Sequence, residues 1–242
     1  MKNMRFILIF LLSLSVVACK KDEEGPKIPT QGLIAFYPFN GNANDASGNG
    51  LNGTMMTGAV LTADRFGNPD KACDVNSGYV EVADNDDLDV ESFTISIWFK
   101  LENVYHAFNC LVGKDYSTAF AIGISSGGSG ECPAPVGTLR PIRLYVGAEM
   151  NHFTDSDIVC GSDSWVHGVT TFDNLTGAIQ LYINGTLVQS GTLTAGSIGN
   201  NTYPLGIGRD GRWSDKFTGS VDDVRIYNRV LSANEIALLY GE

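Results

Sequence analysis

The chain has 242 residues, 28 of them glycine, and a formal charge of −11. That acidic balance excludes a nucleic-acid binder, because phosphate contacts need clustered Lys and Arg. The composition is neither collagen-like nor disordered, and the length suits one all-β domain behind an export segment.

Residues 1–5 are a short basic start, and residues 6–17 are an apolar run of signal-peptide length, too short to span a bilayer. Val16-Val17-Ala18-Cys19 then resembles a bacterial lipobox. The resemblance implies a signal peptide over 1–18 and a diacylglyceryl group on the Cys19 thiol; the alternative is a plain signal peptide with an incidental Cys. Acyl chains contribute ~0.8 kcal/mol per buried CH₂, so several of them hold a protein on a membrane. Lys20-Lys21-Asp22-Glu23-Glu24 resembles the signal that sends lipoproteins of Bacteroidetes-type bacteria to the outer face of the outer membrane. The same residues also read as a solvated linker. Residues 19–31, with Pro26 and Pro29, form a tether, which leaves 32–242 as the folded domain.

Residues 33–39 read as a first strand that ends near Pro38, since proline has no N–H for a ladder. Residues 40–54 are a long turn of Gly, Asn, Asp and Ser. Cys73 and Val75 alternate before a turn at Gly78, and 79–82 follow as strand. In 93–100, Phe93, Ile95, Ile97 and Phe99 fall on one face, and Thr94, Ser96 and Trp98 on the other. Residues 111–114 and 119–124 read as a hairpin. Residues 125–138 form a Gly/Ser/Pro loop longer than an ordinary connection. Residues 143–146 and 165–173 are strand-like. Residues 179–188 are a hairpin, with Asn184-Gly185 supplying the positive φ angles of a type I′ turn. A Gly-rich loop carrying Trp213 leads into a strand over 217–227. That strand holds Asp222 and Asp223, a repelling pair that needs a cation or hydrogen bonds. Ser232-Ala233-Asn234-Glu235 is a capping box, and Ile236, Leu239 and Tyr240 follow at helical spacing. Many short strands, Gly/Asn turns and one helix signal predict an all-β, two-sheet antiparallel sandwich with a short C-terminal helix.

Three motifs point further. The closing stretch matches G-x-(I/V)-D-D-V-R-I-Y-N-R-x-L-S-x-x-E-I from Gly219 through Asp222, Asp223, Arg225, Tyr227 and Ser232 to Ile236. The opening has Tyr37, Phe39, Gly41, Asp45, Ser47, Gly48, Asn49 and Gly50 in Y-x-F-x-G-x-x-x-D-x-S-G-N-G, and Trp165, His167, Thr171 and Asp173 give W-x-H-x-x-x-T-x-D. Together they resemble the concanavalin A-like lectin/glucanase superfamily in its laminin-G-like, pentraxin-like form. The resemblance implies a jelly roll whose first and last strands lie side by side, with Trp98, Trp165 and His167 in structural places.

It also implies that the opening turn meets the closing strand. Asn40, Asp45, a carbonyl near Gly50, Asp222 and Asp223 would then offer the oxygens that Ca²⁺ prefers, and related domains often hold a structural calcium there. Otherwise Asp45 caps its own turn, and Asp222 pairs with Arg225 or Lys216. With Cys19 assigned to lipid, Cys73 reads as a buried thiol. Cys132 and Cys160, both in polar loops, are the first choice for a disulfide, with Cys110 a rival partner.

Sugar binding needs an aromatic face for the apolar side of a pyranose and planar polar groups for its hydroxyls. Trp213 with Arg209, Asp210 and Arg212 offers both in one loop, with Tyr116, His152 and Phe153 as secondary loop candidates. Asp115 and Asp155 are weaker, since isolated loop acids are usually only solvated. The alternative for Trp213 is a ring folded over the core or paired with Arg209 or Arg212. Asp87-Leu88-Asp89-Val90-Glu91 partly matches the Glu-x-Asp-x-Glu strand of retaining glucanases, but it begins with Asp and precedes the Phe93 strand. No nucleophile motif surrounds His106, His152 or His167. The expectation is a non-catalytic module that binds a glycan or glycoprotein on a surface-anchored lipoprotein. The alternatives are a structural or protein-interaction lipoprotein of an envelope complex and, behind it, a glycoside hydrolase.

Overall fold

The structure is a computed structural model that describes residues 27–103, 108–125, 139–147, 149–159 and 164–242. Cys19, His106, Cys132 and Cys160, and with them the expected lipid anchor and disulfide, lie outside the described residues.

Strands run where apolar residues alternate and stop at Gly, Asn and Asp turns. In chain order they are β1 (Leu33–Tyr37), β2 (Gly53–Met56), β3 (Val60–Thr62), β4 (Ala72–Asp74), β5 (Tyr79–Val82), β6 (Phe93–Asn103), β7 (Phe108–Gly113) and β8 (Phe120–Ser125). Then come β9 (Leu139–Val146), β10 (Glu149–Val159), β11 (Val166–Phe172), β12 (Ala178–Ile183), β13 (Thr186–Thr192), β14 (Leu205–Ile207) and β15 (Thr218–Tyr227), with helix α1 (Ala233–Tyr240) last. One sheet has the order β13-β12-β11-β6-β15-β4-β3, with β1 also on β15; the other runs β10-β9-β8-β7-β14-β5-β2. Every named pair is antiparallel. The two-sheet antiparallel sandwich is therefore the observed architecture.

The core lies between the sheets. Phe93, Ile95, Ile97 and Phe99 of β6 are fully buried there, against Ile122 and Ile124 of β8 and Ile142 and Leu144 of β9. Each such side chain contributes about 1.5–3 kcal/mol through removal from water. Trp98 points to the other face, as its place in the alternation requires. The first and last strands are adjacent, with Phe36 opposite Arg225 and Tyr37 opposite Val224. Asn184 and Gly185 adopt φ 49° and 75°, the values a type I′ hairpin turn demands.

The capping box forms as the sequence predicts: the Ser232 hydroxyl accepts from Glu235 N–H, and the Glu235 carboxylate accepts from Ser232 N–H. Ile236 and Leu239 bury against Val169, Tyr182 and Tyr227, so α1 covers the outer face of the β1-containing sheet. The Arg229 guanidinium beside Glu235 holds its carboxyl down to about 2.

The loop placement of three candidates is corrected. His152, Phe153 and Asp155 lie in β10, a full strand paired with β9, and not in a loop. Its sequence, EMNHFTDSDIV, is rich in poor strand formers, and ladder pairing overrides that preference. β3 and β14 are three residues each, too short for a periodic signal. Cys73 and Cys110 are both buried free thiols, and burial pushes Cys73 up to about 12.

Candidate functional site

The loop between β14 and β15 leaves one sheet for the other and folds against the loop between β7 and β8. Asp210 ties them together. Its side chain is fully buried; Oδ1 accepts from the N–H groups of Arg212 and Trp213, both at 2.9 Å, and Oδ2 from Tyr116 N–H at 3.1 Å. Burial raises its pKa despite these donors. Asp115, equally buried, is a second tie. Its Oδ1 accepts from the Trp213 indole N–H at 3.0 Å, and its Oδ2 from the Thr118 hydroxyl at 2.7 Å and Arg212 Nη1 at 3.2 Å. Burial pushes this carboxyl up, but bonds from Ser117, Thr118 and Trp213 outweigh it and the net shift is downward. Gly211 passes so close to Pro204 that a Cβ would sit 1.7 Å from the Pro204 carbonyl oxygen, so only glycine fits.

These ties align a run of flat groups along the outer face of the second sheet. Phe108 meets Tyr145 at a centroid separation of 4.9 Å, Tyr145 meets Tyr116 at 5.1 Å, and Tyr116 stacks on Trp213 at 5.4 Å and 21°. The Arg212 guanidinium lies 4.8 Å from the Trp213 ring and 4.8 Å from Tyr203. Trp213 is 38% exposed, Arg212 is exposed, and Tyr116, Tyr145 and Tyr203 are half-buried. The shelf starts from β7 and β9 and ends on the loop. It presents π faces for apolar ring surface and a guanidinium for hydroxyls.

The candidates therefore divide. Trp213, Arg212 and Tyr116 come together at the surface. Asp210 is a buried brace without a solvent-facing atom, contrary to the expectation that it contacts ligand. Arg209 is a brace too: its Nε donates to the carbonyls of Asp210 and Trp213, and its guanidinium lies 4.5 Å from the Tyr79 ring. Sequence reasoning set Asp115 aside and passed over Tyr145 and Tyr203. The one local signal was Asp115-Tyr116-Ser117-Thr118, in which an Asp turns back on the following Ser and Thr.

The carboxylates expected to hold calcium are engaged by protein groups. Asp45 spends Oδ1 on the N–H groups of Phe36 and Ser47 and Oδ2 on the Ser47 hydroxyl and Leu51 N–H, which makes it a clasp for its own turn. Asn40 and Gly50 are solvent-exposed turn residues. Asp222 and Asp223 share another cation: Arg65 Nη1 lies 3.1 Å from one carboxylate and 2.7 Å from the other. A β-bulge makes this possible. The β15 register slips between Asp222 and Arg225, and Asp223 takes φ 46°, so two consecutive side chains reach one guanidinium. Burial and the Asp223 charge raise Asp222 to about 8. Asp222 is thus paired with Arg65, in place of the Arg225 or Lys216 expected as its alternative partner.

The glucanase-like run is not a strand either. Residues Asp86–Leu88 form a 3₁₀ turn, and Asp89, with Asp84, neutralises the fully buried Lys114. His167 Nε2 lies 2.9 Å from Ser96 Oγ, but its Nδ1 has no partner, so no carboxylate completes a triad. Burial, with Arg225 and Arg65 nearby, lowers His167 to about 3.

Comparisons with known proteins agree with the sandwich fold. The family model described as the concanavalin A-like lectin/glucanases superfamily matches residues 74–237. Domain 4 of AbnA, a GH43 extracellular arabinanase from Geobacillus stearothermophilus solved with arabinotriose, superposes with a TM-score of 0.65. It is 22% identical, over 86% of this chain and 98% of that one. The binding domain of Paraclostridial Mosquitocidal Protein 1 gives 0.65 at 20% identity, over 86% and 52%. Among curated sequences, the zebrafish (Danio rerio) Adhesion G-protein coupled receptor V1 is 25% identical over 157 residues, which is 62% of this chain but 2% of that protein.

Proposed function

The chain belongs to the concanavalin A-like lectin/glucanase superfamily, and on that premise we propose that it is a non-catalytic glycan-binding module. The observation that carries this reading is the shelf Tyr145–Tyr116–Trp213, with Arg212 wedged between Trp213 and Tyr203. Its rings are held in place before any ligand arrives, by Asp115 and Asp210. Preorganisation of this kind reduces the entropy lost on binding. Sugar rings lay their C–H faces on Trp213 and Tyr116, and Arg212 donates to hydroxyls. The arabinotriose complex of one structural neighbour, the binding-domain role of another and the adhesion receptor relative support the same reading. The arrangement of Asp87, Asp89 and Glu91 speaks against a retaining hydrolase. The lipobox at Cys19 and the run at 20–24 support display of the module on the outer surface of the outer membrane.

A polysaccharide and oligosaccharide array tests the proposal, with wild type, Arg212→Ala and Trp213→Ala side by side. At least a tenfold loss of retention is expected in both variants. Retention indifferent to both substitutions, or no retained glycan at all, sinks it.

A further inference from the structure

A second concave surface lies on the opposite sheet. Arg65 and Phe66 from the β3–β4 loop, Trp98 of β6, Trp165 ahead of β11 and Tyr240 at the end of α1 enclose an open cleft of about 450 Å³. That size falls within the range of small-molecule sites. The floor is aromatic: Trp98 stacks with Tyr240 at 5.7 Å and 18°, and His167 packs beside both, at 5.1 and 6.0 Å. The Arg65 guanidinium lies 4.5 Å from the Trp98 ring and 4.6 Å from Phe66. Phe66 is 68% exposed and Tyr240 42%, so two rings on the rim stay in water.

Two further observations narrow the ligand. The charges of the cleft are satisfied internally. Arg65 is shared by Asp222 and Asp223, and Arg225 pairs with Glu242 at 2.6 Å, so neither guanidinium is free to draw an anionic ligand. The polar groups of the floor are not satisfied. Trp98 is 8% exposed and His167 1%, yet neither Trp98 Nε1 nor His167 Nδ1 has a hydrogen-bond partner. His167 Nε2 pairs with Ser96 Oγ, which leaves Nδ1 as an acceptor or a donor according to the tautomer, beside the indole donor. A hydroxyl is both acceptor and donor, and suits that pair.

We propose that this cleft is a second saccharide site, taking one uncharged, polyhydroxylated ring against Trp98, Tyr240 and Phe66. It rests on the glycan-binding reading of the shelf and makes the module bivalent, with one site on each sheet. Bivalency raises retention on a repeating polysaccharide far above that of either site alone.

The chain contains three Trp, and they divide between the sites, Trp98 and Trp165 in the cleft and Trp213 on the shelf. Their indole ¹⁵N–¹H signals, assigned by single Trp→Phe substitutions, report on each site separately. The probes are arabinotriose, xylotriose and cellotriose, titrated to saturation. The expected result is that Trp98 and Trp165 shift along one saturation curve and Trp213 along another. The combined substitution Phe66→Ala and Tyr240→Ala removes two exposed rings; it should weaken the first curve at least tenfold and leave the second unchanged. Movement of Trp213 alone overturns the cleft proposal and leaves the shelf reading standing. Movement of Trp98 and Trp165 alone upholds the cleft and overturns the shelf. Three stationary signals overturn both.

Discussion

Asp115 grips Trp213 across 98 residues of sequence, its buried Oδ1 accepting the indole N–H at 3.0 Å while Oδ2 takes Arg212. One carboxylate thus sets the attitude of both groups proposed to meet a ligand. Asp115→Ala removes the acceptor and leaves part-buried donors unpaired, which should cost about 1 kcal/mol or more in chemical denaturation. Trp213 emission should shift to the red as the ring is released. An unchanged spectrum would show that Trp213 is held by packing alone.

Asp222 makes stability depend on pH in the less common direction. Its folded pKa, about 8, lies above the unfolded value of about 3.9. Between these values the unfolded chain gives up the proton and the folded chain keeps it, so this group's contribution declines as pH rises from about 4 to 8. Asp222→Asn keeps a neutral group opposite Arg65, and its melting temperature should fall less than the parent's between pH 5 and 8. Parallel curves would contradict the assignment.

Glu235 works the other way. Its folded pKa, about 2, lies below the unfolded value of about 4.3, so its contribution is present at neutral pH and disappears as pH falls towards 2. Glu235→Gln retains a capping-box side chain but loses the charge facing Arg229. For a partly exposed pair the loss should be about 0.5 kcal/mol at pH 7 and should vanish near pH 2 in the same melting series.

Gly211→Ala tests the close approach of the Trp213 loop to the segment just ahead of β14. The added Cβ would collide with the Pro204 carbonyl oxygen, a backbone atom with no rotamer to retreat to. Overpacking of this kind costs about 1–3 kcal/mol, and glycan retention should fall with it. Full retention and an unchanged melting temperature would mean that the loop yields freely.

Much of the frame was legible because it depends on local rules. Alternation placed Phe93 to Phe99 in the core and Trp98 outside it, Asn184-Gly185 fixed a hairpin, and Ser232 with Glu235 fixed the start of α1. The partners of charged groups were not legible. Arg65 finds Asp222 from 157 residues away, and nothing in its neighbourhood marks it. Family resemblance placed β1 beside β15, but it carried no hint that Arg65 faces Asp222 and Asp223. The shelf escaped for a similar reason: Tyr145, Tyr116 and Tyr203 occupy separate segments, and only the sandwich lines them up.

The pairing of β1 with β15 bears on how the domain would carry mechanical load. Residues 27–32 lead into β1, and they are stapled to the end of β15 by Tyr227 Oη donating to the Pro29 carbonyl and Arg229 Nε donating to the Gln31 carbonyl. The loop bearing Trp213 runs into the opposite end of β15. Leu33 sits beside Tyr227, so a pull between residues 27–32 and Trp213 draws the two antiparallel strands past each other lengthwise. Their ladder bonds are then strained together in shear and do not open one after another like a zip.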